Sequence, residues 1–182
     1  MRPFQYFLLS FVLGGWHCTF SPPVGQAKME FTNPVAYNEY IIKEQTKIIS
    51  HILAVNRAME QNAPQVQVLL QKGLMTTDSS LKTLQALPGF KGDTTLKNRA
   101  LSNFSFYRKL FATAYPRILS IYAKGDSITP TDYQELQNLE QAISKQEFNL
   151  DQQLVAAQAD FARRNKIPLL ENGVQKRIDA NR

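Results

Sequence analysis

The chain of 182 residues holds one cysteine and two histidines, so the side chains of nucleophilic and metal chemistry are nearly absent. His17 and Cys18 stand side by side in "LGGWHCTFSPPVGQAK", Leu13 to Lys28, which leaves His51 as the one histidine of the body. A di-metal bundle needs Glu-x-x-His on two helices, and zinc hydrolysis needs His-Glu-x-x-His or a cysteine set; neither pattern occurs. No glycine-rich loop ends in Gly-Lys-Ser/Thr, and "GDTTLKNRAL" reads as a capped turn before a helix. These absences point away from an enzyme, and the sequence indicates no cofactor and no metal site of standard spacing.

One constellation remains. Glu44 and His51 interrupt the apolar stripe of the first helical segment one heptad apart, and Glu147 fills the corresponding gap between Ile143 and Leu150 in the last. Facing one another across a bundle, they would form a polar core able to hold a metal or a polar ligand. With a slight rotation of the helices they become the wet edge of an apolar seam, the arrangement that the desolvation cost of a carboxylate favours. The aromatic set Phe104, Phe106, Tyr107, Phe111, Tyr115 and Tyr122 is expected mainly as core, with a pocket beside Pro116 as the alternative.

Cys18 raises the question of location. Arg2 supplies a positive start and "FLLSFVLGG", Phe7 to Gly15, an apolar run of signal-peptide length, too short for the roughly 20 residues of a membrane span. Gly25-Gln26-Ala27 offers small residues at the third and first positions before a cut after Ala27, whereas a lipid anchor at Cys18 would follow the bulky pair Trp16-His17. Cleavage after Ala27 leads, and lipidation at Cys18 is the alternative. The first leaves a mature chain without cysteine, which must be stabilised by packing and not by disulfides, as suits a bacterial envelope protein better than a disulfide-framework one.

The net charge of +6 is a property of the C-terminal end. Residues 28 to 162 carry 14 Lys and Arg against 13 Asp and Glu, while the last twenty carry six basic side chains against Glu171 and Asp179. No aromatic residue interleaves with those charges, so specific nucleic-acid binding is not signalled, and a membrane is a partner only through a lipid at Cys18.

The elements that must position these residues are helices. Four long segments carry apolar residues at spacings of three, four and seven, and none alternates at period two beside hairpin turns. The first opens at Asn33-Pro34. The second starts near Asn62 or Ala63 before Pro64 and weakens at "TTDSS", Thr76 to Ser80, where a bend or fraying is expected. The third follows "LPGFKGD" and meets Pro116, so a kink is predicted near Ala112 to Pro116. The fourth opens with Thr129, Pro130 and Asp132 as a capping box. The expectation is an all-α, up-down-up-down four-helix bundle over 34–167, preceded by a signal peptide (1–27) and linker (28–33) and followed by a basic tail (168–182).

Three stretches then suggest a family. "NPVAYNEYIIKEQTKI" (Asn33 to Ile48), "FKGDTTLKNRALSNFSFYRKLF" (Phe90 to Phe111) and "LVAAQADFARRNKI" (Leu154 to Ile167) resemble the leptospiral-type surface proteins, exported helical proteins of envelope-bearing bacteria. The resemblance implies an exported helical protein and carries no activity with it. Tyr37, Asn38, Gln45, Gly92, Asp93, Tyr107, Gln158 and Phe161 are its family-like positions, each with an adequate structural role as cap, turn or core. The function expected is therefore a non-enzymatic interaction or accessory module acting on a protein partner in the envelope. The alternative is a carrier of a small apolar or metal-containing ligand within the bundle.

Overall fold

The computed structural model describes residues 30–61 and 63–168, and within them the fold is all-α. The expected signal segment 1–27 with Cys18 and Ala27, the first two residues of the linker, and the tail beyond Pro168 lie outside the described residues.

Helix α1 spans Pro34–Glu60. The Asn33 side chain accepts from the Val35 amide at 2.8 Å, and Pro34 occupies a first-turn position where its missing N–H leaves nothing unpaired. Tyr37, Ile41, Ile48, Ile52 and Val55 form its buried stripe, with Ala58 taking the buried place at the end and Met59 left half-buried. Helix α2, Val66–Ala86, starts later than Pro64 and has no side-chain cap. It also runs unbroken through Thr76 to Ser80, against the expected bend. The polar side chains there are satisfied inside the fold: the Thr77 hydroxyl donates to the Gly73 carbonyl at 2.7 Å, and the Ser80 hydroxyl donates to Glu44 at 2.8 Å. Packing has overridden weak propensity.

A tight connection follows, with Lys91 and Gly92 both at positive φ and Phe90 bridged to Asp93. The Asp93 carboxylate then accepts from the Thr95 amide at 2.9 Å and starts α3, Thr95–Lys109. The third helical segment does not reach Pro116 in α register. Residues Leu110–Ala114 form a π turn in which the Tyr115 amide donates to the Leu110 carbonyl, and α4, Tyr115–Tyr122, continues with Pro116 in its first turn. The wider turn removes the conflict that proline creates with the carbonyl four residues back. Gly125–Ser127 make a 3-10 turn, and α5 spans Pro130–Asn165 behind the complete Thr129–Asp132 capping box.

Named contacts fix how the helices lie pairwise. Glu44 meets Ser80 and His51 meets Thr76, so α1 and α2 run antiparallel. Asp78 pairs with Arg108 while Gly73 abuts Phe111, which sets α2 against α3 in the same sense. Arg99 bonds Gln153, Asn103 bonds Asp151 and Arg117 bonds Glu135, which does the same for the third segment and α5. One large core gathers Tyr37, Ile48, Leu84, Phe104, Phe111, Leu154 and Phe161, so Phe104 and Leu154 share it as the periodicity implies. A smaller core holds Ile118, Ile121 and Leu136. At one end Tyr37, Phe90 and Phe161 pack ring against ring with centroids 5.4 to 5.6 Å apart, within the range of favourable aromatic pairs.

Candidate functional site

Of the three polar residues singled out from the sequence, Glu44 and His51 have hydrogen-bond partners. Glu44 is buried on α1, where it accepts from Ser80 and pairs with Lys47. It is therefore no wet edge; the hydroxyl and the ammonium compensate its desolvation. His51, half-buried, lies with its Nε2 3.0 Å from the Thr76 hydroxyl. Glu147 belongs to α5 and interacts with Asp151 and Tyr107. No group of three or more His, Cys, Asp or Glu side chains is arranged to hold a metal among the described residues.

What Glu147 does join is a polar layer across α1, α3 and α5 that spacing alone had not identified. Asn103 and Tyr107, one turn apart on α3, are 1% exposed, as is Gln45 on α1. The Asn103 amide donates to Asp151 at 3.1 Å, and the Gln45 side chain lies beside the Tyr107 phenol. Glu147 and Asp151 stand one turn apart on α5. Burial raises the Glu147 carboxyl to about 7, and the neighbouring Asp151 charge adds to the effect. Burial likewise raises Asp151, against the opposing pull of its bond from Asn103. The Tyr107 phenol is pushed well above its usual range by burial and then by the two acids. Gln45 Oε1 and Asn103 Oδ1 have no hydrogen-bond partner within the described residues, as is also true of Asn38 Oδ1 and Asn56 Oδ1 elsewhere on α1.

The aromatic set behaves as core: Phe104, Phe106, Tyr107, Phe111 and Tyr115 are buried, whereas Tyr122 is exposed. Beside Phe111 and Pro116 there is a cleft, bounded across α2 by Gln67, Leu70, Gln71 and Leu74. It is open to solvent and holds about 220 Å³, below the roughly 300–1,000 Å³ of small-molecule sites.

Asn103 and Asp151 were legible in principle. Asn103 sits between Ala100 and Tyr107 at spacings of three and four, and Asp151 lies three residues before Leu154, so each occupies an inward position. A polar residue at such a position is the signal that sequence reasoning passed over.

No protein-family model matches the chain, and no curated protein or solved structure matches it.

Proposed function

We propose that this chain is an exported, non-enzymatic helical protein of the bacterial envelope, an up-down-up-down bundle bent at its π turn, which presents helix faces to a protein partner. The antiparallel contacts between successive helices support the bundle, and the wider turn before Pro116 supports the bend. The resemblance of Asn33 to Ile48, Phe90 to Phe111 and Leu154 to Ile167 to leptospiral-type surface proteins supports the location. No helix of the described residues is long and apolar enough to cross a membrane.

The observation that carries the interaction reading is the pattern of apolar side chains outside the core. Phe148 and Val155 are 58% and 54% exposed and lie seven residues apart, on one face of α5. Val68 and Met75 repeat that spacing on α2. A carrier instead needs an enclosed apolar cavity, and the cleft at Phe111 is small and open.

Cross-linking in living cells tests the reading. A photoreactive amino acid at position 148 is expected to yield a discrete adduct with another envelope protein, and Val155→Asp to abolish it; an uncross-linked chain under both conditions would count against a partner on this face. Location is tested separately by fractionation and intact mass. A mature chain beginning at Lys28 in the soluble envelope fraction, unaffected by Cys18→Ser, is the expected product. A detergent-phase protein whose partition disappears in Cys18→Ser would replace it with a lipid-anchored one, since buried acyl methylenes contribute about 0.8 kcal/mol each.

A further inference from the structure

The outer face of α5 is almost without charge. Among its exposed residues from Gln137 to Ala156, Lys145 alone is charged; the others are Gln, Asn, Ser and Ala, with Phe148 and Val155 between them. The exposed side of α1, by contrast, carries Glu39, Lys43, Lys47, Arg57 and Glu60. At a rise of 1.5 Å per residue the uncharged stretch of α5 is about 28 Å long. A solvated helix face ordinarily carries charges of both signs, and a face that dispenses with them while displaying an aromatic ring has the composition of the centre of a protein interface.

Two properties of the face select its partner. Glutamine and asparagine amides both donate and accept, so a second copy of the same face offers each of them a complement. A charged surface laid against it would be desolvated without an opposite charge to meet. The charges at the margins are also placed for a symmetric pair of copies, in which one patch meets itself. With Gln141, Phe148 and Val155 at the a positions of a heptad, Ser144 takes a d position, Glu140 a g position and Lys145 an e position. The next d position, Asp151, is turned to Asn103 and marks the inner limit of the face. In two parallel helices a g side chain faces the e side chain of the following heptad, so Glu140 meets Lys145 of the partner subunit, and symmetry forms that pair twice. In an antiparallel pair g faces g and e faces e, and both charges lose their complement. Neither Glu140 nor Lys145 forms an ion pair among the described residues, so both are available across an interface.

We propose that α5 pairs in parallel with α5 of a second copy through the face centred on Phe148, closed at its margins by two Glu140–Lys145 ion pairs between the copies. The proposal rests on the reading of this face as an interaction surface and names the partner that covers it. The two copies point the same way, so the ends at which Tyr37 stacks on Phe161 lie side by side.

Sedimentation equilibrium of the full chain at low salt tests this. The wild type is expected to form a dimer whose population rises with concentration, and Phe148→Asp to stay monomeric with an unchanged helical circular dichroism spectrum. Lys145→Glu and Glu140→Lys should each weaken the dimer about tenfold, since each turns two attractions into two repulsions, and added salt should narrow that difference. Mixed in equal amounts, these two variants should associate as tightly as the wild type, because acidic margins on one copy then meet basic margins on the other. A wild type that stays monomeric would overturn the proposal, and so would a dimer indifferent to Phe148→Asp or to both charge reversals. Should Phe148→Asp fail to fold, the photoreactive amino acid at position 148 decides. An adduct of two copies formed by the purified protein supports the pairing. A purified protein that forms none, yet in cells is joined to a different protein, refutes the pairing and leaves the interaction face standing; no adduct in either setting refutes both.

Discussion

Phe104→Ala is expected to destabilise the protein by about 3–5 kcal/mol, the range for truncating a buried phenylalanine. The ring is 0% exposed and belongs to the same core as Leu154 on α5 and Leu84 on α2. Truncation therefore removes apolar burial and also leaves a hole bordered by three helices that cannot all move inward together. Since native domains have only about 5–15 kcal/mol in hand, the variant should melt at a markedly lower temperature. A thermal transition equal to that of the wild type would reject the inward placement of α3.

Gly73→Leu should act from the opposite direction, by excess volume. A Cβ at position 73 would lie 2.4 Å from Cε1 and 2.6 Å from Cζ of Phe111, so even the first carbon of a side chain has no room. Glycine is otherwise a poor helix residue, about 1 kcal/mol worse than alanine, so its presence in mid-helix reflects this close approach. Leucine there is expected to destabilise by about 3 kcal/mol, the upper end of ordinary overpacking, despite its better propensity. Urea denaturation of Gly73→Leu, Phe111→Ala and the double variant checks the mechanism. The pair should be less harmful together than the sum of the two, because removing the ring makes the space that leucine needs. Strict additivity would show that Gly73 and Phe111 do not meet.

Helix ends were the most legible part of the sequence. Asn33-Pro34 and the Thr129–Asp132 box act through neighbouring backbone groups, so the local residues suffice to specify them. The interior of α2 was misjudged because Thr77 and Ser80 find partners inside the fold, and Ser80 finds its partner on another helix. Pro116 signals a local departure from α register, but that it takes the form of a widened turn over Leu110–Ala114 is not legible from the proline alone. The polar layer was read only through Glu147. Its other members come from three helices, and a pattern that follows one helix at a time shows Asn103 or Asp151 as a single blemish in a stripe, without the neighbour that explains it.

The π turn has a geometric consequence for the far end of the molecule. A turn closed by an i to i+5 bond holds one residue more than an α turn, so every side chain after it is rotated by about 100° relative to an uninterrupted helix. The phase of the third segment is thereby reset between Leu110 and Tyr115. Residues before the reset feed the large core, while Ile118 and Ile121 after it meet Leu136 at the start of α5 in a core of their own. That second core is joined to the first largely through the half-buried Met59 and Ile143, which touch both. The molecule is thus two packing compartments on one set of rods, and the α4–α5 corner can loosen as a unit of local unfolding while the aromatic end keeps its rings in register.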